Sequence, residues 1–139
     1  MKVAITGSSG LIGSSLVSFL SEKNITVSKI LREEPKDDDI SWRPEDGDWD
    51  SAYAGGIDGI VHLAGENIAS GRWTKAKKKK IRNSRIEGTK SLCEQILKLP
   101  KPPSVFICAS AIGYYGDRGM EFLNEGSSRG SGFLPDVCL

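Results

Sequence analysis

The 139-residue sequence is 38% hydrophobic and 27% charged, which suits one globular domain and excludes a disordered chain. Its net charge of +1 gives no general attraction to nucleic acid or an anionic membrane surface, and no apolar run approaches the length of a membrane span. A single histidine, His62, excludes a histidine-rich metal site, and the three widely spaced cysteines, Cys93, Cys108 and Cys138, read as inert or buried thiols of a reducing, cytoplasmic compartment.

Lys2-Val3-Ala4-Ile5 reads as a first strand. It runs into Thr6-Gly7-Ser8-Ser9-Gly10-Leu11-Ile12-Gly13, and Leu11, Ile12, Leu16, Val17, Phe19 and Leu20 then recur at helical spacing. A Gly-x-x-Gly-x-x-Gly pattern on a strand-to-helix turn is a dinucleotide signature. Gly7 would let the chain turn off the strand, Gly10 would admit a pyrophosphate, and Gly13 would let the helix pack against the sheet. Helix-start N–H groups, with hydroxyls from Ser8 and Ser9, would face the phosphates.

The first helix should end near Glu22-Lys23, with Asn24 as its C-terminal cap. A second strand follows over residues 25–31, and the residue at its end should read the adenosine ribose. Here that residue is Arg32, whose guanidinium suits the 2′-phosphate of NADP; Glu33 beside it keeps NAD possible. The adjacent Asp37, Asp38 and Asp39 diverge on a loop and suggest no metal site. Residues 40–43 read as a third strand and residues 49–53 as a short helix. A fourth strand, residues 60–65, breaks at Gly65-Glu66-Asn67, where small Ala64 and Gly65 leave room for a cofactor.

A long helix is expected over residues 74–99, with Ile81, Leu92, Ile96 and Leu99 on one stripe around Gly88. Lys77-Lys78-Lys79-Lys80 within it reads as a solvated surface turn. A fifth strand over residues 104–109 ends in Ser110-Ala111, followed by a glycine-rich loop of the kind that is usually functional. Phe133-Leu134-Pro135-Asp136-Val137-Cys138-Leu139 resembles the start of another helix. The order predicts an α/β fold, the N-terminal portion of a Rossmann-type doubly wound parallel sheet, with residues 1–139 as one NAD(P)-binding domain lacking its substrate domain.

Thr6-Gly7-Ser8-Ser9-Gly10-Leu11-Ile12-Gly13 and His62-Leu63-Ala64-Gly65 resemble the extended short-chain dehydrogenase/reductase superfamily, in its NAD-dependent epimerase/dehydratase group. With Glu66-Asn67-Ile68, Arg72-Trp73, Ser84-Arg85 and Ala109-Ser110-Ala111-Ile112-Gly113-Tyr114-Tyr115-Gly116, the likeness narrows to the subgroup called epimerase family protein or nucleoside-diphosphate-sugar epimerase. It implies an NADP-type cofactor contacted by Gly7, Ser9, Gly10, Leu11, Ile12, Arg32, Leu63, Ala64, Gly65 and Arg85. It also implies a longer protein whose substrate-binding part follows, acting on a small molecule.

The departure concerns chemistry. Enzymes of the superfamily carry a serine and a Tyr-x-x-x-Lys pair, in which the lysine lowers the pKa of the acid/base tyrosine. Tyr53, Tyr114 and Tyr115 are followed four residues on by Ile57, Arg118 and Gly119, and Phe133 with Val137 stands where the pair is expected. The candidate catalytic residues are therefore Ser110, to polarise a substrate oxygen, and Tyr114 or Tyr115, as the acid. The alternative expectation is a sensor or regulatory module that binds NADP without turning it over.

Overall fold

Strand β1 (Lys2–Thr6) leads through the glycine loop to helix α1 (Leu11–Glu22) in a computed structural model that describes residues 1–33, 36, 38–46, 49 and 55–139. α1 ends where the sequence places it. Asn24 takes φ 56°, its N–H bonds the Ser21 carbonyl at 3.0 Å, and the Ile25 N–H bonds the Leu20 carbonyl at 3.0 Å. That pairing closes the last turn around a left-handed residue, a conformation asparagine tolerates.

Strands β2 (Thr26–Leu31), β3 (Ile40–Ser41), β4 (Gly59–His62) and β5 (Val105–Cys108) complete the sheet, with helix α2 (Lys75–Leu97) between β4 and β5. All pairings within the sheet are parallel and the order is β3-β2-β1-β4-β5. The chain leaves β1 outward to β2 and β3, then returns to the other side of β1. The strand order therefore reverses between β1 and β4, and ligands of open α/β sheets bind outside the strand ends at such a point. β3 is shorter than the four residues expected. Trp42 continues it by one hydrogen bond to the Leu31 carbonyl at 2.7 Å, then forms an antiparallel bridge with Trp49. The expected helix at 49–53 falls largely outside the described residues.

One face of the sheet carries the core. Ala4, Ile30, Ile40, Trp42 and Ile60 pack with Leu92 and Ile96 of α2 and with Leu99 just beyond it. Each buried aliphatic side chain contributes about 1.5–3 kcal/mol. The predicted α2 stripe is confirmed, since Ile81, Gly88, Leu92 and Ile96 are buried. The α1 stripe is only half realised. Leu16, Val17 and Leu20 are half-buried, whereas Leu11, Ile12 and Phe19 lie exposed on the helix's outer flank. The cysteines are free, but they are less buried than expected: Cys108 is exposed on the edge strand β5, and Cys93 and Cys138 are half-buried. Burial pushes the Cys93 thiol up. No helix among the described residues is long and apolar enough to cross a membrane.

The chain divides into two compact units, Met1–Cys108 and Ala109–Leu139. The second holds a 3-10 turn (Ile112–Tyr115) and helix α3 (Phe133–Cys138), which is the helix expected there. Its glycine-rich loop is stitched by Arg118, which makes a bidentate pair with Glu121 at 2.8 and 2.8 Å and donates to the Ser128 carbonyl at 3.2 Å.

Candidate cofactor-binding site

Thr6 ends β1 with its hydroxyl buried, and that hydroxyl ties the two strand ends at the switch point together. Its oxygen accepts the Leu63 and Ala64 N–H groups, each at 3.1 Å, and lies 2.7 Å from His62 Nδ1. An oxygen that accepts two N–H bonds has its own hydrogen left to give, so Thr6 donates to Nδ1 and His62 carries its hydrogen on Nε2. His62 is 3% exposed, and burial holds its pKa below the ordinary value, which keeps the ring neutral. The Trp42 and Phe106 rings flank it at 6.2 and 6.4 Å.

This knot brings the Gly7 turn onto the backbone after β4. Gly7 has φ 68°, and a Cβ there would stand 2.8 Å from the Leu63 carbonyl carbon. One turn on, a Cβ at Gly13 would fall onto the Gly7 carbonyl oxygen. Both positions demand glycine for close backbone approach.

α1 begins with Gly10 as its N-cap, and no side chain caps it. The Gly10 N–H turns back to the Gly7 carbonyl at 3.0 Å, and the first intrahelical bond runs from Ser14 to Gly10 at 2.8 Å. The N–H groups of Leu11, Ile12 and Gly13 have no intrahelical acceptor. The helix's own serines do not supply one, since Ser14, Ser15 and Ser18 donate backwards to carbonyls. Uncapped N–H groups at the positive end of a helix dipole, beside a glycine loop, form a phosphate cradle.

A cleft of about 560 Å³ opens there. That volume lies within the ordinary range of ligand pockets. Gly7, Ser8, Ser9 and Gly10 form one wall, Leu63, Ala64 and Gly65 the floor after β4, and Arg32 and Glu33 the far end. Ile30, Trp42 and Pro44 close the side beside β2. The fit to a dinucleotide rests on these observations: a cradle for a pyrophosphate, a floor ending in small Ala64 and Gly65, and a guanidinium where the second strand ends.

Four of the expected cofactor residues do not line the cleft. Leu11 and Ile12 are 89% and 68% exposed on the helix start, so only their N–H groups belong to the cradle, and Gly13 is buried beneath the loop. Arg85 is not among the residues lining the cleft; its guanidinium carbon is 3.2 Å from where a Cβ at Gly65 would lie, and it donates to the Glu66 carbonyl at 3.1 Å. Its neighbour Ser84 accepts the Glu66 N–H at 2.9 Å and itself lines the cleft. Sequence reasoning did not place Trp42, Pro44, Glu66 or Ser84 at the cleft, because the contacts that put them there span long sequence separations. The Lys77 ammonium is 2.7 Å from the Glu66 carboxylate and 2.9 Å from the Ser70 hydroxyl. That hydrogen bond and charge hold the Glu66 carboxyl below the usual carboxylate range, with smaller pulls from Lys80 and Arg32. Lys77 thus serves a turn of the cleft, where sequence suggested only a solvated face.

Ser110, Tyr114 and Tyr115 belong to the second unit. Ser110 is exposed, and the half-buried Tyr114 and Tyr115 rings meet edge to face at 5.2 Å. The Tyr114 carbonyl accepts the Gly130 N–H at 3.0 Å, which ties the 3-10 turn to the segment before α3.

Known proteins with this sequence pattern share the architecture. The profile of the NAD dependent epimerase/dehydratase family matches residues 3–130. Epimerase family protein Mb2239 of Mycobacterium bovis is 40% identical over 138 residues, 99% of this chain and 45% of that protein. The human epimerase family protein SDR39U1 is 32% identical over 122 residues, 83% of this chain and 38% of that protein. Among solved structures, the nucleoside-diphosphate sugar epimerase of Corynebacterium glutamicum superposes with a TM-score of 0.81 at 39% identity, covering 99% of this chain and 28% of that one. Human SDR39U1 isoform 2, solved with NADPH, also reaches 0.81, at 30% identity, covering 99% of this chain and 46% of that one. The chain thus spans under half the length of these relatives. With a parallel Rossmann sheet, a glycine cradle at its switch point and a matching profile over nearly all its length, the chain belongs to the NAD dependent epimerase/dehydratase family.

Proposed function

We propose that this chain is the NADP(H)-holding part of an epimerase-like or oxidoreductase-like enzyme of the extended short-chain dehydrogenase/reductase group, acting on a small molecule. The observation that carries the reading is one continuous cleft running from the uncapped start of α1 to Arg32. The α1 N–H groups, with Ser8 and Ser9, bind the pyrophosphate. Arg32 pairs with the ribose 2′-phosphate. Small Ala64 and Gly65 would leave room for the ribose, beside Leu63. The bound cofactor supplies hydride transfer. The human relative solved with NADPH supports this choice of dinucleotide. Calorimetric titration tests it. NADPH should bind one to one and tighter than NADH by about tenfold or more, with Arg32→Ala abolishing the difference. Equal affinities in the wild-type protein would remove the NADP assignment.

Chemistry on the substrate is assigned to the second unit. Ser110 polarises the substrate oxygen, and Tyr114 or Tyr115 delivers the proton, since a Tyr-x-x-x-Lys pair is absent from these 139 residues. Turnover by the full-length protein should fall about 100-fold or more in one of Tyr114→Phe and Tyr115→Phe. Unchanged turnover in both would end that assignment. A protein that binds NADPH but never oxidises it with any substrate would instead be a sensor.

A further inference from the structure

We infer that Arg43 is a second reader of the 2′-phosphate, forming with Arg32 a two-guanidinium clamp; the inference rests on the NADP reading above. Arg43 sits just past β3, eleven residues from Arg32, and its Nε donates to the Arg32 main-chain carbonyl at 2.9 Å. That bond fixes the guanidinium of Arg43 beside the residue from which the Arg32 side chain springs. It also uses only one of the five N–H donors.

The segment is held on both sides of Arg43. Trp42 before it is 4% exposed and donates its N–H to Leu31 at 2.7 Å. Pro44 after it accepts the Ser91 hydroxyl of α2 at 3.4 Å. Both Trp42 and Pro44 line the cleft. Among the described residues the remaining fork of Arg43 meets one carboxylate, Asp46, with Nη1 3.9 Å away and both side chains more than half exposed. A separation of that length is no hydrogen bond, so no described side chain takes the fork's hydrogens. Arg32 lines the cleft and Arg43 is tied to its main chain, so a dianionic phosphate that reaches both guanidinium groups offsets their mutual repulsion. A lone 2′-hydroxyl offers no charge to exploit the second arginine, so Arg43 sharpens discrimination rather than general affinity.

The test is titration of the wild-type protein, Arg43→Ala, Arg43→Lys and Arg32→Ala with NADPH and with NADH. Arg43→Ala should weaken NADPH by about tenfold and NADH by less than about twofold, and Arg43→Lys should lie between, keeping the charge without the fork. NADH affinity is the internal check that each variant is folded, and Arg43→Lys carries the test if Arg43→Ala is not. If Arg43→Ala weakens both dinucleotides equally, Arg43 is only a tether for the Arg32 carbonyl and the clamp is overturned. If Arg32→Ala loses the preference for NADPH while both Arg43 variants keep it, the cofactor reading stands and the clamp alone fails. If the wild-type protein has no preference, the cofactor reading fails and the clamp falls with it.

Discussion

Two helices in the first unit start in opposite ways. α2 is capped by Thr74, whose hydroxyl accepts the Lys77 N–H at 3.2 Å. α1 starts at Gly10 with no side-chain cap. By charge alone α2 looks the better anion site, since Lys75 and Lys77 to Lys80 crowd its first turns. Thr74 nevertheless already takes one of its free N–H groups, and the Lys77 ammonium is committed to Glu66 and Ser70. α1 has no cation in its first turn, yet it leaves its donors open beside the glycine loop and the floor after β4. A phosphate site is made by unsatisfied backbone donors in a shaped cleft, and nearby lysines do not substitute for them.

The comparison breaks most violently at Gly7. Gly7→Val should cost about 3–5 kcal/mol, from a strained left-handed β-branched residue and a Cβ driven against Leu63. Thermal melting would register the loss, and NADPH binding should vanish with the loop's shape. Thr6→Val is next. It strands the Ala64 N–H and His62 Nδ1, while the Leu63 N–H keeps the Thr6 main-chain carbonyl at 3.3 Å, for about 1–3 kcal/mol in denaturant unfolding. NADPH affinity should drop as the floor of the cleft loosens.

Thr74→Ala sharpens the contrast from the other side. Losing that cap should cost about 1 kcal/mol of stability and leave NADPH affinity within about twofold of the wild-type value. A large fall in affinity would mean that the α2 start takes part in binding. The gentlest perturbation is pH. His62 has a folded pKa below 6.5, so the unfolded chain takes up the proton first as pH falls. Its contribution is fully present above about pH 6.5 and is lost as pH drops toward the folded value. Melting temperature should decline between pH 6.5 and 5, and His62→Asn should flatten that slope, because the chain has no other histidine.

Much of this site is legible in the sequence because the features that make it are local. Gly7, Gly10 and Gly13 declare the loop by their spacing, Arg32 follows a recognisable strand, and Ile81, Leu92 and Ile96 keep helical period over the core. The illegible part is built by distant pairs. Thr6 meets His62 across 56 residues, Glu66 finds Lys77 and Ser84 across 11 and 18, and Arg43 reaches Arg32 only after β3 has paired. Arg85 shows the same limit. Family likeness places it at the cofactor, and the structure shows it holding the Glu66 carbonyl beside the cleft, a partner its sequence neighbours do not announce. The exposed flank of α1 was illegible for a simpler reason: helical spacing marks a stripe but not how much of it a neighbour covers.

The most direct measurement is the phosphorus NMR spectrum of NADP⁺ bound to the protein, followed through a pH titration. A free phosphate monoester takes up its proton near pH 6. Held by Arg32 in this cleft, the 2′-phosphate should stay dianionic, its resonance unmoved between about pH 7.5 and 6, and Arg32→Ala should restore the titration. A bound 2′-phosphate that titrates like the free one, with no change in Arg32→Ala, would contradict the account.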